Sequence, residues 1–248
     1  MENQILTDSK YYSLEANKKY FSVSQYKDFM KCESMSMAKI NGEYTEPTTK
    51  AMLTGSFVDT YFEGTLQDFV KSHPEIYTKK NSLRSEYKKA NEIIKRLEED
   101  PLFMKFMSGE KQKIMTFDMF GTKWKIKMDS YIPGTCITDL KVVANFRSIP
   151  YWRYDIQGAV YQKGVEIVTG EKLPFYLAVA TKEKTSGFDI FQITQDVLDY
   201  ALSEVESNID RYKSIKSKEI DPERCECCEY CRKTHKSRIR SYKELMEV

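Results

Sequence analysis

The stretch that decides the fold is residues 123–143, which read KWKIKMDSYIPGTCITDLKVV. Its first part alternates lysine with apolar residues, and this period of two is typical of a half-buried β-strand. Pro133-Gly134 is a turn dipeptide, and the β-branched residues after it predict a second strand. A loop symmetric about Gly134 sets Asp129 opposite Asp139, and opposed Cβ atoms of an antiparallel pair lie about 4.5–5.5 Å apart.

Two carboxylates at that distance are a candidate metal site. They repel each other, so one takes up a proton unless a cation lies between them, and oxygen ligands suit a divalent ion. Lys141 follows Asp139 by two positions and shares its strand face, where it can orient a water or stabilise a developing negative charge. The alternative is a solvated strand face with acids placed by chance, and the spacing alone leaves both interpretations open.

The residues after the hairpin predict a helix that packs against it. Apolar and tyrosine residues from Tyr154 to Val168 recur at helical spacing, which indicates a buried stripe. Gln157 and Tyr161 are four positions apart, so their side chains are neighbours on the helix surface.

The order of these residues resembles one nuclease superfamily. The motif consists of Asp129, the triplet Asp139-Leu140-Lys141, Gln157 and Tyr161. This order resembles the PD-(D/E)XK nucleases in their RecB-like branch, and it is nearest to the phage RecE-like exonucleases, also called exodeoxyribonuclease VIII-like. The resemblance runs from about Ser22 to Lys233, and four parts in order are more specific than a D-X-K triplet alone.

The resemblance implies a fold and a set of roles. The fold would be an α/β, restriction-endonuclease-like PD-(D/E)XK core: a mixed central sheet flanked by helices, with an N-terminal helical extension. Asp129, Asp139 and the backbone carbonyl of Leu140 would hold Mg²⁺ or Mn²⁺, and Lys141 would position or activate the water. The following helix would line the site through Gln157 and Tyr161.

A further ligand is implied in the segment 50–64, KAMLTGSFVDTYFEG, which has a strong helical stripe. Many RecB-like nucleases carry Gly-X-X-X-His here, with the histidine on the metal. This chain has Gly55 followed four residues later by Asp59. An aspartate can ligate a hard cation, so Asp59 is a candidate ligand, and a helix-surface acid is the alternative.

A RecE-like activity would be metal-dependent digestion of linear double-stranded DNA from its ends, in the 5′ to 3′ sense. The product would be single strands for phage-type homologous recombination through a single-strand annealing recombinase. Such relatives form rings, which implies a homo-oligomer encoded by a phage or prophage. The alternatives are an endonuclease of the same superfamily and a non-catalytic DNA-binding or assembly protein that keeps the fold.

Length and composition set the remaining expectations. At 248 residues we expect a single nuclease domain over 1–248, with a loosely attached arm at 1–21 and a Cys-rich, basic tail at 225–248. No run approaches the about 20 apolar residues of a membrane span. The N-terminus lacks the basic and apolar regions of a secretory signal, so a cytoplasmic location in the bacterial host is expected.

The net charge is +2, from 39 basic against 37 acidic residues, so clustering of basic residues matters more than their total for DNA binding. The alternation of residues 123–128 places Lys123, Lys125 and Lys127 on the face of Asp129, which predicts a DNA contact. Arg147 follows the site closely in sequence and is a further candidate for a phosphate contact.

Four of the six cysteines lie between Cys225 and Cys231, which indicates ligation of a metal or cluster rather than disulfides in a cytosolic chain. The spacing Cys225-X2-Cys228-X2-Cys231 needs a fourth ligand. CRISPR-adaptation nucleases and AddB helicase-nucleases are RecB-like relatives that combine one upstream cysteine with three C-terminal ones around a [4Fe-4S] cluster. That resemblance implies Cys32 as the fourth ligand. Zinc, with His235 as a possible ligand, and unliganded thiols are the alternatives.

Overall fold

The computed structural model describes residues 6–239 and 241–245. The ends of the predicted arm and tail, residues 1–5, 240 and 246–248, lie outside the described residues. Before any strand, the chain forms helices α1 (Asp8–Tyr11), α2 (Leu14–Lys19), α3 (Val23–Lys31), α4 (Glu33–Asn41), α5 (Lys50–Glu63), α6 (Leu66–Ser72), α7 (Ser85–Glu98) and α8 (Pro101–Phe106), with a 3₁₀ turn at Pro74–Ile76.

The strands form an antiparallel hairpin followed by a four-stranded mixed sheet. The hairpin strands are β1 (Lys113–Met119) and β2 (Thr122–Met128), and the sheet strands are β3 (Ser130–Ile132), β4 (Cys136–Val143), β5 (Phe175–Thr181) and β6 (Phe188–Ile193). The sheet order is β3-β4-β5-β6; β4 and β5 are parallel, and the other neighbours are antiparallel. The predicted α/β class with a mixed central sheet is confirmed.

The parallel pair requires a crossover, which carries part of the candidate site. After β4 the chain forms a 3₁₀ segment (Phe146–Trp152) and helix α9 (Tyr154–Thr169) before it returns as β5. After β6 come α10 (Gln195–Lys216), α11 (Glu229–Lys233) and a 3₁₀ turn at Tyr242–Leu245.

Helices cover both faces of the sheet. Leu177 and Val179 of β5 belong to one core, which includes α9 and α10. Ala178 and Ala180 belong to a second core, which α5, α7 and α8 complete. Successive strand residues point to opposite faces, so this division confirms a sheet flanked by helices. None of the helices in the described ranges combines the length and apolar character that a membrane crossing requires.

The N-terminal segment packs on β2, although the sequence predicted a loosely attached arm. Tyr11 is buried, and Phe21 forms a parallel bridge with Trp124 of β2. The Phe21 amide donates to the Lys123 carbonyl at 2.8 Å, and the Lys125 amide donates to the Phe21 carbonyl at 2.8 Å. The burial of Tyr11 and Phe21 and these backbone hydrogen bonds therefore hold the described segment on β2, in contrast to the loose attachment that the sequence predicted.

Candidate active site

The turn between β3 and β4 has the predicted register. Ser130 pairs with Thr138 and Ile132 with Cys136, so the pairing is symmetric about Gly134. Gly134 has φ of 68°, a left-handed conformation that favours glycine. Asp129 immediately precedes the first pair and lies at a bend between β2 and β3, rather than on the strand that the alternation of the lysines predicted. Continuing the register by one residue places Asp129 opposite Asp139.

The carboxylate of Asp129 is hydrogen-bonded to the backbone of β4. Its Oδ2 accepts a hydrogen bond from the Leu140 amide at 2.8 Å, and its Oδ1 accepts one from Gln112 Nε2 at 3.2 Å. The bend between β2 and β3 therefore delivers this carboxylate to the middle of the neighbouring strand. Gln112 was missed from the sequence, because no spacing links it to Asp129.

Asp139 lies at the centre of the site and is 2% exposed. Its Oδ1 accepts a hydrogen bond from Gln157 Nε2 at 2.7 Å, and its Oδ2 forms an ion pair with Lys141 Nζ. Lys141 Nζ also donates to the Leu140 carbonyl at 3.2 Å. The structure thus brings together the predicted triplet of β4 and the predicted glutamine of α9.

The charges of these groups depend on one another. Burial, together with the charge of Asp129, raises the pKa of Asp139 to about 7, although Lys141 lowers it. Burial disfavours the charged form of Lys141, but the charges of Asp139 and Asp129 outweigh this effect and raise the pKa of the lysine above its ordinary value. Lys141 is therefore a cation at neutral pH in the metal-free site, and Asp139 titrates close to neutrality.

Asp59 of α5 faces the same group of charges. Burial raises the pKa of Asp59 well above its ordinary value, and the charges of Asp129 and Asp139 raise it further while Lys141 opposes them. Its Oδ1 is inaccessible to solvent and has no hydrogen-bond partner among the described residues. An unpartnered buried oxygen costs free energy, and a cation beside it would remove that cost.

Two tyrosines of α9 surround the site in different ways. The Tyr161 hydroxyl donates to the Lys127 carbonyl at 2.9 Å, so this predicted site residue holds the end of β2 before Asp129. The ring of Tyr154 lies 5.4 Å from Lys141 Nζ and 5.3 Å from Lys27 Nζ. Tyr154 is one turn before Gln157, a signal that could have identified it as a site residue. No signal pointed to Lys27, which comes from α3.

Burial contradicts the predicted DNA contact of Lys125, whereas Lys127 keeps 13% of its side chain exposed and its contact stays a prediction. Lys125 is 1% exposed; its ammonium donates to the Tyr11 carbonyl and to Asn17 Oδ1, the latter at 2.7 Å. Lys127 forms an ion pair with Asp8 at 3.2 Å and packs on tyrosine rings. The cause is the N-terminal segment, which covers the lysine face of β2. Lys123, which pairs with Asp118, and Arg147 of the 3₁₀ segment are exposed and stay predictions.

The structure also brings the four predicted cysteines together. The Sγ atoms of Cys32, Cys225, Cys228 and Cys231 all lie within 4.8 Å of one another. We call this group the cysteine cluster, and we call Asp59, Asp129, Asp139 and Lys141 the carboxylate site. Within the described residues, the cysteine cluster is the only group of three or more His, Cys, Asp or Glu ligands gathered closely enough to enclose an ion.

The donors of the carboxylate site fit a hydrated divalent ion. Mg²⁺ prefers oxygen ligands, keeps several waters, and is bound through one or two carboxylates rather than a complete protein cage. Asp129 and Asp139 offer carboxylates, the Leu140 carbonyl faces Lys141, and the Asp59 oxygen is without a partner. An open arrangement of hard oxygen ligands is therefore compatible with Mg²⁺ or Mn²⁺.

Comparisons with known proteins find a family and a similar solved structure. The model of the family described as a PDDEXK-like domain of unknown function (DUF3799) matches residues 22–234. A crystal structure from Eubacterium rectale, of a protein provisionally named an exonuclease, is similar at 47% sequence identity and a TM-score of 0.94, and the match covers 98% of each chain.

Two other comparisons add no argument. The crystal structure of SSO0001 matches at 10% identity over 75% of this chain and 84% of its own, with a TM-score of 0.30. The search of the curated proteins finds no match. The family match over residues 22–234 and the identity to the Eubacterium rectale protein show that the chain belongs to this PDDEXK-like family, within the PD-(D/E)XK nuclease superfamily.

Proposed function

We propose that this protein is a Mg²⁺- or Mn²⁺-dependent deoxyribonuclease that digests linear double-stranded DNA from its ends. The observation that carries the proposal is Asp139, a buried carboxylate held by Gln157 and Lys141 beside an unpartnered oxygen of Asp59. A structural ion pair would not require a second acid with an inaccessible oxygen that has no hydrogen-bond partner among the described residues. Perturbed titratable groups clustered in this way are typical of catalytic sites.

The metal would be held by Asp129, Asp139 and the Leu140 carbonyl, with Asp59 assisting. A divalent ion at this position would supply Lewis-acid stabilisation of the charge that develops on the phosphate during hydrolysis. Gln157 orients Asp139 by occupying Oδ1, which leaves Oδ2 available once Lys141 moves from it. Outer hydrogen bonds of this kind fix the orientation of a ligating carboxylate.

Lys141 would act as a positioned cation. Its raised pKa keeps the ammonium charged, so it donates hydrogen bonds to the attacking water or to a phosphate oxygen rather than accepting a proton. The face of α5 next to the site is open, because an added Cβ at Gly55 would meet no atom within 4 Å. Gly55 is one turn before Asp59, so a DNA strand could approach the acid across this face.

The finer features of the proposal come from the resemblance to RecE-like exonucleases. They are 5′ to 3′ digestion, release of single strands to an annealing recombinase, a ring-shaped homo-oligomer, and a phage or prophage origin with action in the bacterial cytoplasm. The similarity to a protein provisionally named an exonuclease favours attack from DNA ends over internal cleavage. The exposed Lys123 and Arg147 would contact the DNA backbone.

The test compares linear with closed circular duplex of the same sequence, each with Mg²⁺, with Mn²⁺ and with a chelator. We expect loss of the linear DNA only, and only with metal, with a 5′ label released before a 3′ label. Rapid cleavage of the circle would support an endonuclease instead. Binding without cleavage of either DNA, under all metal conditions, would support a non-catalytic DNA-binding protein and overturn the proposal.

A further inference from the structure

We infer that the cysteine cluster holds a single tetrahedral Zn²⁺ ion, and not the [4Fe-4S] cluster that the resemblance to RecB-like relatives implies. The Sγ atoms of Cys32 and Cys231 are 3.5 Å apart, and those of Cys225 and Cys231 are 3.9 Å apart. Zn–S bonds of about 2.3 Å in a tetrahedron place the sulfurs about 3.8 Å apart. The observed spacing therefore fits one ion.

An iron–sulfur cube would need a wider arrangement. Each of its four cysteines binds a different iron at a corner of the cube, with sulfides between the irons. The thiolates must then lie farther apart than the ligands of one ion, whereas here all four sulfur atoms lie within 4.8 Å of one another. The cluster that the resemblance implies does not fit this geometry.

The backbone around the sulfurs is arranged to support thiolates. Cys32 and Cys228 are the N-cap residues of α4 and α11, and their Sγ atoms accept hydrogen bonds from the Met35 and Cys231 amides at 3.5 and 3.4 Å. Cys225 Sγ accepts one from the Cys228 amide at 3.3 Å. Backbone amides that donate to the sulfurs would stabilise them as thiolate ligands of a metal ion.

Two other candidate metal ligands lie outside the cysteine cluster. Cys227 is exposed and lies outside the group of four sulfurs, although it is next to Cys228 in the chain. His235, an alternative zinc ligand from the sequence, is directed to Glu226 at 3.6 Å and is not part of the group. The site is therefore a closed Cys₄ site, which is typical of structural zinc.

The ion would join the junction of α3 and α4 to the C-terminal segment. Cys32 separates α3 from α4, and its neighbours contact the segment before the C-terminal cysteines: the Ser34 amide donates to the Glu223 carbonyl, and Glu33 pairs with Arg211. Zinc would therefore add to an existing polar interface, and its role is structural.

The test is the metal content and colour of the full-length protein purified without oxygen. We expect one Zn²⁺ per chain, no iron and no colour, and visible bands of tetrahedral thiolate coordination when Co²⁺ replaces zinc. Cys228→Ser should lose the ion and Cys227→Ser should keep it. Cys228→His should also keep it, because Cys₃His is a normal zinc ligand set.

A brown protein with about four irons per chain would overturn the inference, because that stoichiometry defines the alternative cluster. A folded wild-type protein with neither metal, or loss of zinc from Cys227→Ser as well, would overturn it too. None of these readouts depends on nuclease activity, so they stand apart from the proposed function.

A second inference, which rests on the proposed function, concerns the 3₁₀ segment between β4 and α9. We propose that Tyr151 and Trp152 form a stacking platform for an unpaired DNA base at the edge of the carboxylate site. Their side chains are 86% and 53% exposed, although both are large and apolar. Base–aromatic stacking is the common mode by which proteins bind single strands without reading sequence.

The contacts around the segment connect it to the site and hold it rigid. Lys27 Nζ donates to the Trp152 carbonyl at 2.8 Å and lies over the Tyr154 ring, whose other near cation is Lys141. Arg153, next to Trp152, has φ of 50° and is fixed by ion pairs to two carboxylates, those of Asp155 and Glu204. Strained backbone of this kind persists only where surrounding contacts enforce it.

Charge favours a nucleic acid over an apolar partner. Lys27 donates to the Trp152 carbonyl, and both Lys27 and Lys141 lie over the ring of Tyr154, two residues after Trp152. The exposed Arg147 belongs to the 3₁₀ segment itself. Cations and exposed rings in one neighbourhood match a strand that offers phosphates and base faces together.

The test uses Asp139→Asn, which removes cleavage, and duplex DNA with a frayed end that carries fluorescent 2-aminopurine. We expect quenching on binding, and a loss of affinity of about 5- to 100-fold in Tyr151→Ala or Trp152→Ala, in line with stacking energies. Tyr151→Phe keeps a ring and should bind normally. Equal affinity of all variants would overturn the platform, whereas absent cleavage by the wild type would overturn the proposed function alone.

Discussion

The carboxylate site and the cysteine cluster are built in opposite ways. In the carboxylate site, Asp139 pairs with Lys141 while Asp59 keeps an oxygen without a partner among the described residues. In the cysteine cluster, four sulfurs lie within 4.8 Å of one another, and three of them accept backbone N–H bonds. The first group is open and electrostatically unsatisfied, whereas the second is closed.

This difference fits a catalytic role for the carboxylate site and a structural role for the cysteine cluster. An open set of oxygen ligands leaves coordination positions for water and phosphate, which a hydrolytic metal needs. A closed set of four thiolates leaves no position for substrate, and its binding energy contributes to folding. Substitutions in the carboxylate site should therefore reduce catalysis without loss of the fold. Substitutions in the cysteine cluster should instead lower the stability of the fold.

The largest expected effect is on catalysis by Lys141→Ala. Removal of the ammonium should lower the cleavage rate by about 10²–10⁴-fold, the range for a positioned catalytic group. Mg²⁺ affinity should be equal or higher, because Asp139 loses a competing cation. Kinetics with end-labelled duplex and calorimetric metal titration measure the two quantities. Lys163→Ala is the control, since Lys163 pairs with Glu166 on the surface of α9; wild-type cleavage by Lys141→Ala would remove the lysine from the mechanism.

The next effect is on the stability of the cysteine cluster. Cys228→Ser should lower the free energy of unfolding by on the order of 4 kcal/mol, which is typical for loss of a structural metal, and should lower Tm by about 10 °C. Cys227→Ser changes an exposed thiol outside the cluster and should stay within about 0.5 kcal/mol of wild type. Equal Tm values for the two variants would mean that no structural ion stabilises this end of the chain.

A smaller effect is expected from Gln157→Ala. Its amide orients Asp139 through a 2.7 Å hydrogen bond, and outer groups of this kind change metal affinity or activity by about 10–100-fold. Gln162 is a matched control on the same helix, because it is buried and donates to the Leu173 carbonyl instead. Gln162→Ala should lower Tm without changing Mg²⁺ affinity. The same loss of metal affinity in both variants would show that packing of α9, and not the hydrogen bond to Asp139, determines metal binding.

The last expected effect is a pH dependence of stability without metal. The pKa of Asp139 is about 7 in the folded protein and about 3.9 in an unfolded chain, so the folded state binds more protons between these values. This group therefore stabilises the fold at low pH, and its contribution is lost as the pH rises towards 7 and is absent above about 8. In a chelator, Asp139→Asn should flatten the decline of Tm across this window. An identical Tm profile for wild type and Asp139→Asn would contradict the raised pKa.

The sequence predicted most of the geometry of the turn between β3 and β4 and little of its surroundings. A period of two and a turn at Gly134 were enough to place Asp129 opposite Asp139, because register follows from local turn geometry. The burial of Lys125 was not predictable, since Tyr11 and Asn17 reach it from more than 100 residues away. Long-range packing decides which face of a strand is covered, and no local pattern records it.

The cysteine cluster shows the same limit. Its C-terminal cysteines were evident from their spacing, but Cys32 was implied by family resemblance and brought to them by the fold. The choice between zinc and an iron–sulfur cluster depends on distances between sulfur atoms, which spacing along the chain does not determine. Lys27 and Gln112 were missed because the folded structure, and not a local pattern of residues, brings each of them to the carboxylate site.

The most direct test of the account is the rate at which wild type and Asp139→Asn release an end label from linear duplex DNA at saturating Mg²⁺. Melting temperatures of the same samples in a chelator serve as the control for folding. The account predicts metal-dependent release by the wild type and none by Asp139→Asn, with cooperative unfolding of both proteins and a variant Tm that is not below that of the wild type, because the substitution removes carboxylate repulsion. Release by Asp139→Asn at the wild-type rate would contradict a catalytic carboxylate site, as would loss of release that accompanies an unfolded variant.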